Sequence, residues 1–285
     1  MIRSAGAKWA RQGEWAFSVT PDGGGGPLRL RTRLAFAAGA VAALLLAGPA
    51  VAADKAATGP GGHPDFSGFW NLSAKVARDK TLVDKIPAGT AILEDTGAVE
   101  FPKGEFGGLK VKPKALAAAA EWEPATDMSI RNACKPPSIV YAMQGPFPIE
   151  IYQGTEFILI KLEYFDMMRV VFMDGRKPDA TTPDSKAGYS TGKWEGDTLV
   201  VETTHLSPAT IANNGLTHSN KIRVLERFRM TDGGTSLVAT QEFDDPEVLD
   251  NRGARVITWK KKDGDHVYPY ECDPTFALEY QNQKK

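Results

Sequence analysis

From residue 149 onward, apolar and polar positions alternate in short runs separated by Gly-containing turns. The runs 149–153, 156–165, 168–174, 188–194, 197–204, 220–231, 235–243, 254–260 and 266–272 are rich in Ile, Val, Phe, Tyr and Thr, and each reads as a strand. Gln153-Gly154-Thr155, Glu195-Gly196-Asp197, Asp232-Gly233-Gly234 and Asp263-Gly264-Asp265 supply hairpin chemistry, so consecutive strands are expected to pair antiparallel. No helical period recurs between them, which excludes repeated parallel βαβ units. A meander of nine strands needs its edges closed, and an up-and-down barrel or strongly curled sheet closes them. The expected fold is mostly β, an antiparallel up-and-down barrel.

Upstream the pattern weakens. Between 74 and 148 short charged and apolar fragments alternate with Gly and Pro, and 113–123 is the one good helix, opened by Pro113 at its first turn. This stretch is expected to form an irregular, partly helical wrap on a single domain spanning 65–285, after a flexible leader at 53–64. The first fifty-two residues read differently. Arg29, Arg31 and Arg33 precede an apolar run from Leu34 to Gly48, followed by Pro49-Ala50-Val51-Ala52. This is the layout of a secretory signal. The run is shorter than the roughly twenty residues of a membrane span, and no Cys follows it to carry a lipid, so no stable membrane anchor is expected. The expected location is the periplasm or the medium.

Charge and cysteine content narrow the partners. The chain carries 34 Lys and Arg against 35 Asp and Glu, and six of the basic residues fall in the first fifty-two. The remainder is acidic, with no electrostatic reason to seek nucleic acid or anionic lipid. No nucleotide fingerprint, phosphate loop or metal-ligand spacing appears, so no organic cofactor and no metal is expected. In an oxidising compartment the two cysteines, Cys134 and Cys272, are expected to pair, tying the irregular segment to the last strand.

Candidate chemistry lies on strand faces and in the loop 206–217. Ile222, Val224, Glu226 and Phe228 share one face, so Glu226 is expected to point inward, as a structural ion-pair member or as a poised acid or base. Glu202 is expected on the outer face. His218 closes the loop and is a candidate hydrogen-bonding or acid–base group; adjacent Ser219 points the other way on an extended chain, so a nucleophile–base pair is not formed there. Asp174-Gly175-Arg176 reads as a turn with a local ion pair, or as a mouth where Arg176 holds a ligand carboxylate. Tyr164, Phe172 and Trp194 join Arg176 as candidate ligand contacts, with Met168, Val170 and Phe172 taken as the apolar side of their strand.

The run Pro64-Asp65-Phe66-Ser67-Gly68-Phe69-Trp70 resembles the opening of a group of secreted bacterial proteins of unassigned function. Pro146 to Glu150, Met173-Asp174-Gly175-Arg176, Gly192-Lys193-Trp194-Glu195-Gly196-Asp197-Thr198-Leu199-Val200-Val201, His218-Ser219 and Glu226-Arg227-Phe228-Arg229 follow in the same order. His205 stands where that group usually carries Gly. The Gly68-x-Trp70 step is also similar to the signature of lipocalin-like barrels, which implies Trp70 at the closed end, Gly68 beside it, and a late Arg, here Arg255, packed across the ring.

The function expected from these features is an exported binding protein for a small hydrophobic or aromatic molecule. The alternative is a cofactor-independent isomerase, lyase or hydrolase acting on such a ligand, with Glu226 or His218 as acid or base. Export is checked by intact-mass measurement of protein from its native host. The expected mature chain starts after Ala52, and a mature N-terminus at Met1 contradicts it.

Overall fold

The computed structural model describes residues 57–96, 99–127 and 129–282; the expected signal at 1–52 lies outside them. The chain enters the sheet at β1 (Gly68–Leu72), makes a short helix α1 (Lys80–Val83) and returns at β2 (Ala91–Leu93). Three helices follow, α2 (Pro113–Ala120), α3 (Pro124–Asp127) and α4 (Ile139–Ala142). Next come β3 (Ile149–Gln153), β4 (Phe157–Leu162), β5 (Met167–Phe172), β6 (Tyr189–Glu195) and β7 (Thr198–Thr204). A small separate hairpin, β8 (Ala209–Ala212) and β9 (Leu216–His218), precedes β10 (Arg223–Thr231), β11 (Ser236–Asp244) and β12 (Gly253–Lys261).

Nine strands close into a barrel in the order β1-β3-β4-β5-β6-β7-β10-β11-β12, and β12 pairs back to β1. Eight of them are strands expected from the sequence; the ninth is β1, the Gly68–Leu72 opening. The expected strand at 266–272 does not form. Pro269 offers no donor to a ladder, and the amides around it go to carboxylates: Val267 N to Glu150 Oε2 at 3.4 Å, Tyr268 N to Glu163 Oε2 at 3.1 Å and Tyr270 N to Asp166 Oδ1 at 2.9 Å.

The barrel is not wholly antiparallel. β5 and β6 run parallel, and β2 lies parallel along the start of β12, Gly253 to Arg255. A parallel step needs a crossover of about a dozen residues or more, and the connection 173–188 provides it without a helix. That crossover returns the chain to the end of the barrel where β5 began, carrying Lys186, whose carbonyl accepts from Ile139 N at 3.0 Å.

Alternation along the strands sets the interior. Cross-strand registers align Phe228 with Leu199 and Ala239, and Glu226 with Val201 and Gln241, on the inward face. At one end Trp70, Phe228 and Trp259 are buried; the Trp70 indole donates to Phe66 O at 2.9 Å. Trp70 therefore closes this end as expected, but its cation is Lys261, with Nζ 5.4 Å from the ring. Gly68 sits beside it with φ +119°, a backbone that a side chain disfavours, and an added Cβ would meet the Lys261 side chain at 3.2 Å.

Arg255 is not the Trp70 cap. It lies on the inward side of β12 toward the other end, over Phe243, and is fully buried. Its guanidinium holds Asp95 through Nε and Nη2, both at 2.7 Å. It also donates to Val140 O at 3.1 Å and Ile211 O at 2.6 Å. Through these bonds α4 and the β8–β9 hairpin are drawn over the mouth. Ile139, Val140 and Ala142 are buried, and Ile139 O accepts from inward-facing Gln241 at 3.3 Å. The segment 74–148 thus wraps the outside only in part; its α4 turn plugs the barrel.

Cys134 and Cys272 form a disulfide, with Cα atoms 5.8 Å apart and a sequence separation of 138. Closing so long a loop restricts the unfolded chain, an effect of about 2–5 kcal/mol. Replacing Cys272 by Ser is expected to lower unfolding stability by that amount in a denaturant titration, and a midpoint equal to that of the unreduced parent contradicts this.

Candidate functional site

The charged residue expected inside the barrel is there. Glu226 is 1% exposed and paired with Arg169 of β5, itself fully buried. Arg169 also donates to Ser190 Oγ at 3.1 Å and Thr203 Oγ1 at 2.8 Å, while Gln241 Nε2 donates to Glu226 Oε1 at 3.2 Å. Every polar neighbour of the carboxylate is thus a structural partner from β5 or β11. Removing one member of such a pair leaves a buried charge and typically costs about 3–5 kcal/mol. Glu226 is a member of the structural pair. Glu202 faces outward, and Glu242, also on an outer face, pairs with Arg227.

His218 is buried at the end of β9. Its Nδ1 lies 2.8 Å from Ser219 O, which fixes the proton there, so Nε2 accepts from the Ser138 hydroxyl at 2.7 Å. Ser219 N and Oγ in turn bind Asp245 at 2.6 and 2.9 Å. The Ser138–His218 geometry is that of a nucleophile and its base, yet Ser138 is fully buried and closed to solvent. Burial pushes the imidazole below its ordinary value, against the opposing pull of Ser219 O and Asp245. The pair locks the start of α4 to β9.

The four candidate ligand contacts are dispersed. Phe172 and Tyr164 stand at opposite ends of β5, and the inward row of that strand is Met167, Arg169 and Val171. The expected apolar row is the outer one: Met168 is 62% and Val170 38% exposed. Arg176 is exposed, bound to Asp174 through Nε at 2.8 Å, and stacked over Phe172 at 4.5 Å. That is the local ion pair, which holds the Asp174 carboxyl at about 2 through the Arg176 hydrogen bonds. Trp194 packs on His63 at 4.6 Å and Phe66 at 5.2 Å beside the closed end. Tyr164 alone of the four lines a cleft at the mouth.

That cleft has a volume of about 370 Å³ and is walled by Tyr141, Tyr164, Phe165, Lys135, Lys186 and the start of β8, within the size range of small-molecule sites. Three constraints build it. Phe165 and Asp166 both adopt left-handed backbone, φ 58° and 50°, a conformation uncommon in residues other than Gly and found where surrounding structure imposes it. Here the imposing contacts are the carboxylates of Glu163 and Asp166 on the amides of Tyr268 and Tyr270. Tyr164 is stacked on Phe147 at 4.4 Å, with Tyr270 edge-on to both at 5.6 Å. The same tail reaches the opposite wall through Cys272–Cys134, next to Ala133 and Lys135.

Electrostatically the cleft combines neutral phenols with two lysines and the Asp127 carboxylate. Burial raises the Tyr164 hydroxyl to about 12. Burial and a hydrogen bond to Glu100 raise that of Tyr141 further. Lys186 donates to Pro208 O at 2.6 Å, and burial together with the charge of Lys135 lowers its pKa. Among the described residues no group of three or more His, Cys, Asp or Glu is placed to hold a metal ion, and no helix is long and apolar enough to cross a membrane. No protein-family model matches the chain, and no curated protein matches it.

Sequence reasoning missed Tyr141, Lys135, Lys186, Ser138 and Arg169. The signal for Arg169 was present, since an inward Glu226 requires a cation on a facing strand. The others sit in irregular segments with no periodicity to orient them.

The His218 environment fixes a sign for pH dependence. With its folded pKa below the ordinary 6.5, the unfolded chain binds more protons between the two values. Its contribution is complete above 6.5 and is lost as pH falls through the folded value. Thermal melts from about pH 7.5 to about pH 5 should fall more steeply in the parent than in His218→Gln, and identical slopes would contradict this reading.

Proposed function

We propose that the protein is an exported, lipocalin-like binding protein for a small aromatic molecule, and that the ligand sits in the mouth cleft above α4. The motif run from Pro64 to Trp70 and the secretory layout of residues 29–52 support its place among the secreted bacterial group it resembles. The Cys134–Cys272 bridge accords with an oxidising compartment. The observation that carries the binding reading is the cleft itself: three aromatic rings, Tyr141, Tyr164 and Phe165, brought together by backbone strain, carboxylate latches and a disulfide before any ligand arrives. A site fixed in advance loses little freedom on binding.

The catalytic alternative has less support. Glu226 is committed to Arg169, and His218 is sealed behind Ser138. The test is calorimetric titration of the purified protein with 2-naphthol. Saturable binding that weakens at least tenfold in Tyr164→Ala is expected, tenfold being about 1.4 kcal/mol. Binding indifferent to that substitution, or none to any naphthyl compound, contradicts the reading; conversion of the probe would favour catalysis.

A further inference from the structure

Two lysines, Lys135 and Lys186, and one carboxylate, Asp127, line the cleft, so its lining is net positive. Lys186, half-buried, and Lys135, exposed at the rim, lie close enough to act on each other. Asp127 has one of its two oxygens, Oδ2, taken by the Trp122 indole at 2.5 Å. The Lys186 ammonium binds one carbonyl, Pro208 O, and an ammonium has three donors. Lys186 is also not placed there by chance of a flexible surface loop. It is delivered by the parallel crossover, and its backbone is pinned by the Ile139 N–H at 3.0 Å. An anion entering the cleft would ease the mutual repulsion of the two lysines.

Resting on the binding reading above, we propose that the mouth cleft selects an aryl anion: a flat aromatic ring against Tyr164 and Phe165, carrying a carboxylate or comparable oxyanion that meets Lys186 and Lys135. The phenols of Tyr141 and Tyr164 stay neutral, so they do not oppose the charge. Asn213 and Thr210 on the β8 side add polar groups beside the lysines. A charge-assisted contact of this kind distinguishes an anion from its neutral isostere.

The experiment compares 2-naphthoate, neutral 2-naphthamide, cyclohexanecarboxylate and inorganic phosphate on the full purified chain by calorimetry. The proposal expects 2-naphthoate to bind about tenfold or more tighter than 2-naphthamide, a margin worth about 1.4 kcal/mol. It also expects that margin to shrink with added salt. Lys186→Gln should bring the margin between 2-naphthoate and 2-naphthamide below about twofold, and Lys186→Arg should retain it. Equal binding of 2-naphthoate and 2-naphthamide to the parent overturns the charge assignment while leaving the aromatic reading standing. No binding of either naphthyl compound overturns both. Phosphate or cyclohexanecarboxylate binding as tightly as 2-naphthoate overturns the aryl part and makes this a simple anion site. The parent comparison stands even where a lysine variant fails to fold.

Discussion

One guanidinium organises the mouth of this barrel. Arg255 is an inward residue of β12, taken wholly out of water. Such a charge is tolerated when it is paired and hydrogen-bonded. Its acceptors come from three segments distant in sequence: Asp95 after β2, Val140 O in α4 and Ile211 O in β8. Satisfying that one side chain therefore fixes where the plug sits and where the β8–β9 hairpin lies. Tyr141 is the next residue after Val140, and Ala209 and Thr210 precede Ile211, so two walls of the cleft inherit their position from Arg255.

The second buried pair, Arg169 with Glu226, does for the barrel's middle what Arg255 does for its mouth. Together they give the interior a polar, hydrogen-bonded cross-section between the Trp70–Trp259 end and the α4 plug. An apolar calyx is the lipocalin-like expectation, and this interior departs from it. The open cleft lies further out, where the parallel β5–β6 crossover and the latched C-terminal segment meet. The disulfide belongs to the same arrangement, joining the two walls that the carboxylate latches and the aromatic stack have already aligned.

Strand positions, the inward Glu226, the cysteine pair and the Gly68–Trp70 corner were legible because each rests on a local rule: alternation, turn chemistry, compartment or a positive φ. What could not be read has physical causes. On β5 both rows are apolar except Arg169, so a charge that belongs inside marked the wrong face as outer. The four-residue α4 turn is too short to show a helical period, although it is among the most buried parts of the chain. The 173–188 connection was long enough for a parallel return, but its length alone does not choose that path over a loose loop. Cation–π pairing of Trp70 went to Lys261, the residue opposite it in register, and not to the late Arg the lipocalin resemblance pointed to.

The most direct test is hydrogen exchange on Arg255→Lys, since lysine keeps the charge but lacks the planar fork that holds Asp95 in a bidentate grip and reaches the two carbonyls. The account predicts faster exchange confined to residues 93–96, 138–143 and 209–218, with the amides of β10, β11 and β7 as protected as in the parent. Unchanged protection of the plug and the β8–β9 hairpin, or loss spread evenly over the whole barrel, would contradict it.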